Sequence, residues 1–204
     1  MRGRVRWMCV KPSSRHIRRS YVATYMIIHE VGLNWRQRHD TVERKVEAFL
    51  SGFGHARPLE FKQVRRDDFL ALRKLESLPS GLVWSMISWV LCSNDRDREV
   101  NMRHIPMMNF HPEGIGLTEI KLALGVLCPS WGGAILDSGR HQHYYGNHLL
   151  DGGEWVKWMA EFLGPCILVS PRYIGHRLHH GYCSLRLTSD PEYKPKIPRV
   201  IAIV

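Results

Sequence analysis

The chain has 204 residues, 44% of them hydrophobic with seven tryptophans, which makes a core-forming domain, or a compact body with an appended amino-terminal subdomain, and excludes a disordered chain. Its five cysteines are scattered without C-x-x-C spacing, and no run reaches the ~18 apolar residues of a membrane span; a disulfide scaffold, a thiolate zinc site and a helical membrane protein are excluded, and a reducing cytoplasm is the expected compartment. The net charge of +10 favours polyanionic partners, because each phosphate neutralised by Lys or Arg releases a counterion.

Residues 1–20 read as a basic arm carrying Arg2, Arg4, Arg6, Lys11, Arg15, Arg18 and Arg19 without an acid. Its composition is similar to a transit peptide, but Pro12 interrupts it and no amphipathic helix is evident. Residues 21–31 are apolar, aromatic and β-branched, so strand and helix compete there. Val42, Val46 and Leu50 predict a helix over 40–50, broken by Ser51-Gly-Phe-Gly. Phe69, Leu72 and Leu75 predict another over 67–78, and Leu82, Met86 and Val90 continue helical spacing over 82–91, with Trp84 and Trp89 assigned to the core. The polar stretch 93–99 marks the best boundary, giving an amino-terminal α/β subdomain at 21–95, mainly helical or mixed, and a second half at 96–204 that is able to join it in one compact domain.

Beyond that boundary, 105–110 reads as a strand and 117–127 as a helix with Ile120, Leu124 and Leu127 on one face. Strands at 133–137 and 141–145 flank a Ser-Gly turn, and Trp155, Met159 and Phe162 mark a helix over 154–163. Strands at 166–169, 183–188 and 200–203 complete an α+β pattern, a sheet with helices layered on one side.

The string from Ile135 to Gly146 holds the most chemistry. A Ser138-Gly139 turn lets backbone approach a ligand, because glycine has no Cβ to obstruct it. Arg140 follows, and alternation on the next strand sends His141, His143 and Tyr145 one way and Gln142 and Tyr144 the other, a geometry suited to gripping phosphate. Other chemistries compete. His141, His143 and His148, or His176, His179 and His180, have the ligand type for zinc, and His111, His143 and Glu113 for one manganese ion. A Ser138–His143 nucleophilic pair lacks a G-x-S-x-G elbow, and Gly114-Ile-Gly116 lacks the third glycine of a dinucleotide fingerprint. Tyr144, Tyr145 and Trp131 are candidates for stacking on bases or for packing.

Ser138-Gly139-Arg140-His141-Gln142-His143 resembles the small-Gly-Arg turn and strand histidine of the archaeo-eukaryotic primase superfamily, in a small bacterial primase-like branch. The likeness implies an α+β, primase-like (RRM-like) mixed sheet with packed helices over 96–204, and nucleotidyl transfer on nucleoside triphosphates with DNA or RNA. It places the nucleotide-contacting histidine at His143 and aligns residues 107–113 and 168–177 with the acidic, metal-binding strand ends of the family. It likens 183–188, with Lys194 and Lys196, to the basic strand and lysine that touch triphosphate or template.

The sequence departs from that pattern where it counts. Asn109, His111 and Ser170 stand where three acids are expected, whereas Mg²⁺ or Mn²⁺ catalysis relies on carboxylates to hold the ions. Glu113 and Asp137 are the candidate substitutes. The resemblance therefore implies His143, Asn109 and Ser170 as catalytic positions, with Asn109, His111 and Glu113 around any divalent metal (Mn or Mg). Ser138, Gly139, Arg140, His143, Tyr145, Arg177 and Arg186 would hold the nucleotide. Against this enzyme stand a primase-fold module that binds nucleotide or single strands without turnover, and an interaction subunit. The first hundred residues fit completing the sheet, covering it or binding a protein partner.

Overall fold

A computed structural model describes residues 21–31, 57–65, 83–94, 100–111, 115–164, 168–189 and 195–204, the first two segments and 93–94 as backbone alone. The basic arm, both helices expected over 40–50 and 67–78, and Glu113, Cys166 and Lys194 lie outside them.

The segment expected to be helical at 82–91 is a strand, β3 (Trp84–Asn94), inside the first sheet. Residues four apart share a face in a strand as well as in a helix, so Met86 and Val90 satisfied both periods. Burial on both faces removed the polar alternation that separates the two: Trp84, Met86 and Val90 enter the main core, while Ile87 packs with Tyr182 and Trp89 on the other side. Both tryptophans are packing residues, Trp84 buried and Trp89 edge-on to Tyr182 with its indole N–H on the Gly181 carbonyl.

Strand β1 (Tyr21–Val31) pairs antiparallel with β3 on one side and with β2 (Arg57–Arg65) on the other. The opposite edge of β3 is shared by two strands lying end to end. β4 (Val100–His104) covers residues 89–93 as a hairpin partner, and β8 (Ser184–Arg186) covers Ser85, Met86 and Ile87. Ser88 sits where the two meet. Its amide donates to the Cys183 carbonyl (2.8 Å), its carbonyl accepts from Ile105 (2.8 Å), and its buried Oγ accepts from the Cys183 amide (3.0 Å). Strands β3 and β4 pair across the boundary expected at 93–99, and one core cluster draws on residues before and after it.

The second sheet has the order β5-β7-β6-β9, from Met107–Phe110, Gln142–Gly146, Gly133–Asp137 and Arg199–Ile203, all antiparallel. One face, with Met108, Phe110, Ile135 and Tyr144, joins the core cluster with Ile120 and Leu124 of α1 (Leu117–Leu127) and Trp158 of α2 (Gly152–Glu161). Phe110 meets Phe162 edge-on at 5.7 Å, and Tyr144 lies 6.4 Å from Trp158. Helix α2 starts at a reciprocal cap, Asp151 Oδ1 accepting from the Glu154 amide and Glu154 Oε2 from the Asp151 amide, both 2.8 Å.

Among the described residues, β2, β4 and α3 (Pro171–His180) are elements the sequence did not announce, and the strand expected at 166–169 is absent from its described part. Leu168 and Val169 instead form a buried bend. Helix α3 has Ser170 as N-cap, proline in its first turn and Gly181 in a left-handed C-cap at φ +74°. The described residues thus make an α+β arrangement of two antiparallel sheets and three helices.

Candidate functional site

The β6–β7 hairpin carries the site. Its turn closes through the Ser138 amide (2.9 Å) and Ser138 Oγ (2.7 Å), both donating to the His141 carbonyl, while the Gly139 amide donates to Asp137 Oδ1 (2.7 Å). Gly139 is at φ +95°, a region that side chains strain, and a Cβ there would press within 3.2 Å of the Lys196 side chain lying across it. Glycine is required on both counts. Arg140 and Lys196 are exposed at the tip.

Pairing register then assembles the rest. Asn109 of β5 lies directly opposite His143 of β7, which lies opposite Leu136 of β6, so all three share the face turned away from α2. Asn109 Nδ2 is 3.1 Å from His141 Nδ1, and the His141 ring is 4.1 Å from that of His111. The His111 amide donates to the Leu168 carbonyl (3.1 Å), which ties the end of β5 to the segment carrying Ser170, two residues on, at the start of α3. The end of β5 therefore meets both the 138–141 turn, through His141, and the segment at Leu168. His143 and Ser138 are buried there, and Asn109 is half-buried.

The donors at this point are neutral or cationic. Asp137 pairs in register with Gln142, which places it on the opposite, helix-packed face, and one of its oxygens is taken by Gly139. Of the two candidate substitutes for the missing acids, Asp137 thus sits on the face opposite Asn109 and His143, and Glu113 lies outside the described residues. No group of three His, Cys, Asp or Glu able to hold a metal occurs among the described residues. The histidine triads do not form: His148 stacks on Trp131 at 5.3 Å, and His176 Nε2 takes the Arg172 Nε–H at 3.4 Å. Burial, then the neighbouring Arg172 and Arg177, push the His176 imidazole down to about 4. A divalent-ion pair of the Mg²⁺ or Mn²⁺ kind wants several anionic oxygens. The described residues offer the amide oxygen of Asn109, buried and without a hydrogen bond, beside two imidazoles, and do not fit it.

The remaining expected residues are placed as follows. Tyr145 shares the His143 face and its hydroxyl reaches the Leu185 carbonyl at 3.5 Å, so its ring is held in packing, and burial raises its phenol pKa. Ser138 Oγ donates to a carbonyl, not to His143, so the nucleophilic pair is not formed. Arg177 is buried under Tyr173, 5.4 Å from the ring centroid, and donates to Ser184 Oγ at 2.7 Å. Arg186 is buried, donating to three backbone carbonyls: Ser138 (2.9 Å), Lys196 (2.8 Å) and Thr188. His141, expected on the phosphate-gripping strand face, lies against Asn109, and Lys196, expected with the basic strand that touches triphosphate or template, lies across Gly139. Lys196 had no spacing signal, because its place over Gly139 depends on how the chain returns from β8.

No helix among the described residues is long and apolar enough to cross a membrane. A family model described as archaeo-eukaryotic primase 1D-like matches residues 65–199. No curated protein and no solved structure matches.

Proposed function

The chain belongs to the archaeo-eukaryotic primase-like family, and from that premise we propose that it is a primase-fold module that binds the phosphates of a nucleoside triphosphate or of single-stranded nucleic acid at the β6–β7 turn. Family membership supports a nucleotide and nucleic-acid role in general. One observation carries the finer reading: the turn gathers exposed Arg140 and Lys196 with His111, His141 and His143, while the carboxylate at the turn, Asp137, lies on the opposite sheet face with one oxygen taken by the Gly139 amide. Such a surface attracts phosphate and gives a bare divalent cation nothing anionic to hold. Arg140 and Lys196 supply charge on flexible stems, Gly139 lets the ligand approach the backbone, and Asn109 and His143 line the floor. Binding of this kind is salt-sensitive and proceeds without turnover.

The metal-dependent nucleotidyltransferase is the second reading. Favouring it are the unpaired Asn109 oxygen and the position of Glu113 two residues after His111. In that case Asn109, His111, Glu113 and Ser170 would hold a divalent metal, which would supply charge stabilisation to the transferred phosphate. One experiment separates the two. Purified protein is titrated with labelled NTP, dNTP and single-stranded oligonucleotide in Mg²⁺, Mn²⁺ or EDTA, and template-dependent incorporation is followed in parallel. Binding that survives EDTA, weakens in Arg140→Ala and His143→Ala and yields no incorporation is the expected result. Incorporation abolished by Glu113→Gln would replace the binder with the enzyme, and absence of any binding would remove both.

A further inference from the structure

The buried arginine of β8 stands out as a cation beside the proposed phosphate site whose guanidinium is engaged by backbone carbonyls. Its guanidinium spans three separate pieces of chain: the Ser138 carbonyl at the start of the turn, the Thr188 carbonyl just past β8, and the Lys196 carbonyl. It is 7% exposed, whereas Arg140 and Lys196 are exposed. A guanidinium presents its donors in a fixed planar fork, so carbonyls bound to Nη1 and Nη2 are held at set positions relative to one another. The fork therefore sets the distance between the turn and the segment whose side chain crosses Gly139.

We infer that Arg186 is a positioning residue: it fastens the phosphate-binding turn to the Lys196 segment and does not itself contact the ligand's phosphates. The inference rests on the phosphate-binding reading for its consequence, although the fastening itself is measurable in the free protein. Charge alone would place Arg186 with Arg140 and Lys196 as a third phosphate contact. The geometry separates them, because both terminal nitrogens of Arg186 are already donating to carbonyls. A lysine at the same position keeps the charge but loses the fork, so the two roles differ in what Arg186→Lys restores.

The test has two arms on the full chain. In the first, hydrogen exchange is followed by mass spectrometry on ligand-free wild type, Arg186→Lys and Arg186→Gln. Peptides covering 137–141 and 195–199 should both exchange at least about tenfold faster in the two variants, together, while α1 and α2 keep wild-type protection. Unchanged exchange at those two peptides would overturn the inference, whatever happens to binding. In the second arm, a fluorescent single-stranded oligothymidylate is titrated over a salt series. Arg186→Lys should bind at least about fivefold more weakly than wild type with an unchanged slope of log K against log salt, whereas Lys196→Ala should reduce that slope by about 0.7, the contribution of one phosphate contact. Wild-type affinity in Arg186→Lys, or a slope lost in Arg186→Gln but kept in Arg186→Lys, would make Arg186 a phosphate contact and refute the assignment. Should both Arg186 variants fail to fold, Gly139→Ala loosens the same junction from the surface: it should accelerate exchange at 195–199 as well as at 137–141, and a change confined to 137–141 would overturn the inference. A wild type that binds no oligonucleotide or nucleotide removes the phosphate-binding reading, while the exchange arm still decides the fastening.

Discussion

Replacing His104 by glutamine should flatten the dependence of stability on mildly acid pH. His104 ends β4, is 3% exposed, stacks on Trp155 at 4.6 Å and has Nδ1 3.3 Å from Ser88 Oγ. Burial pushes its imidazole from 6.5 down to about 4. The folded protein thus binds the proton more weakly than the unfolded chain does. The stabilising effect is complete above the unfolded value of 6.5 and is lost as pH falls through that value toward about 4. With about 1.4 kcal/mol for each tenfold change in proton affinity, His104 alone should cost the fold about 2 kcal/mol between pH 8 and pH 5. Urea unfolding of wild type and His104→Gln at both pH values isolates this term, because the depressed His176 and His180 titrate in both proteins and cancel in the double difference. A double difference under about 0.5 kcal/mol would show that His104 takes up its proton within the fold without penalty, and the burial argument would fail.

Three further outcomes follow from the packing and the site. Phe110→Ala, which empties the contact with Phe162 between sheet and helix, should lower the unfolding free energy by about 3–5 kcal/mol in the same urea assay. Gly133→Ala places a Cβ 2.5 Å from both the Tyr144 ring and the Tyr145 carbonyl, and should cost about 1–3 kcal/mol by calorimetry or urea. Arg140→Ala, at an exposed turn tip, should leave the melting temperature within about a degree of wild type and lower the salt dependence of oligonucleotide binding by about 0.7 of a contact-slope unit.

Helix α1 was legible residue by residue because Ile120 and Leu124 form a buried stripe against an otherwise exposed surface. The two strands around the Ser-Gly turn were legible because the turn chemistry is local, although β7 starts at Gln142 and leaves His141 at the base of the turn. Other elements were hidden for physical reasons. Strand β3 is buried on both faces and lost its alternation, and β4 exposes Val100, Asn101 and Met102 in succession, so it had none to show. Helix α3 was obscured by its own polarity: Ile174, His176 and Arg177 are its buried residues, and only the first reads as core. At the site, alternation correctly grouped His143 with Tyr145, but the pairing of Asn109 with His143 is a register between strands far apart in sequence. Arg186 was read from its charge, which is visible in a sequence, whereas its carbonyl partners are not.

The shared edge of β3 also bears on how the chain reaches its fold. Ser85, Met86 and Ile87 wait for partners about a hundred residues further along, so during synthesis that stretch emerges from the ribosome long before Ser184, Leu185 and Arg186 do. An apolar strand with an open row of amides and carbonyls is a template for wrong pairing. Closing the sheet thus waits for that late segment, which also brings the arginine that joins the turn to the Lys196 segment.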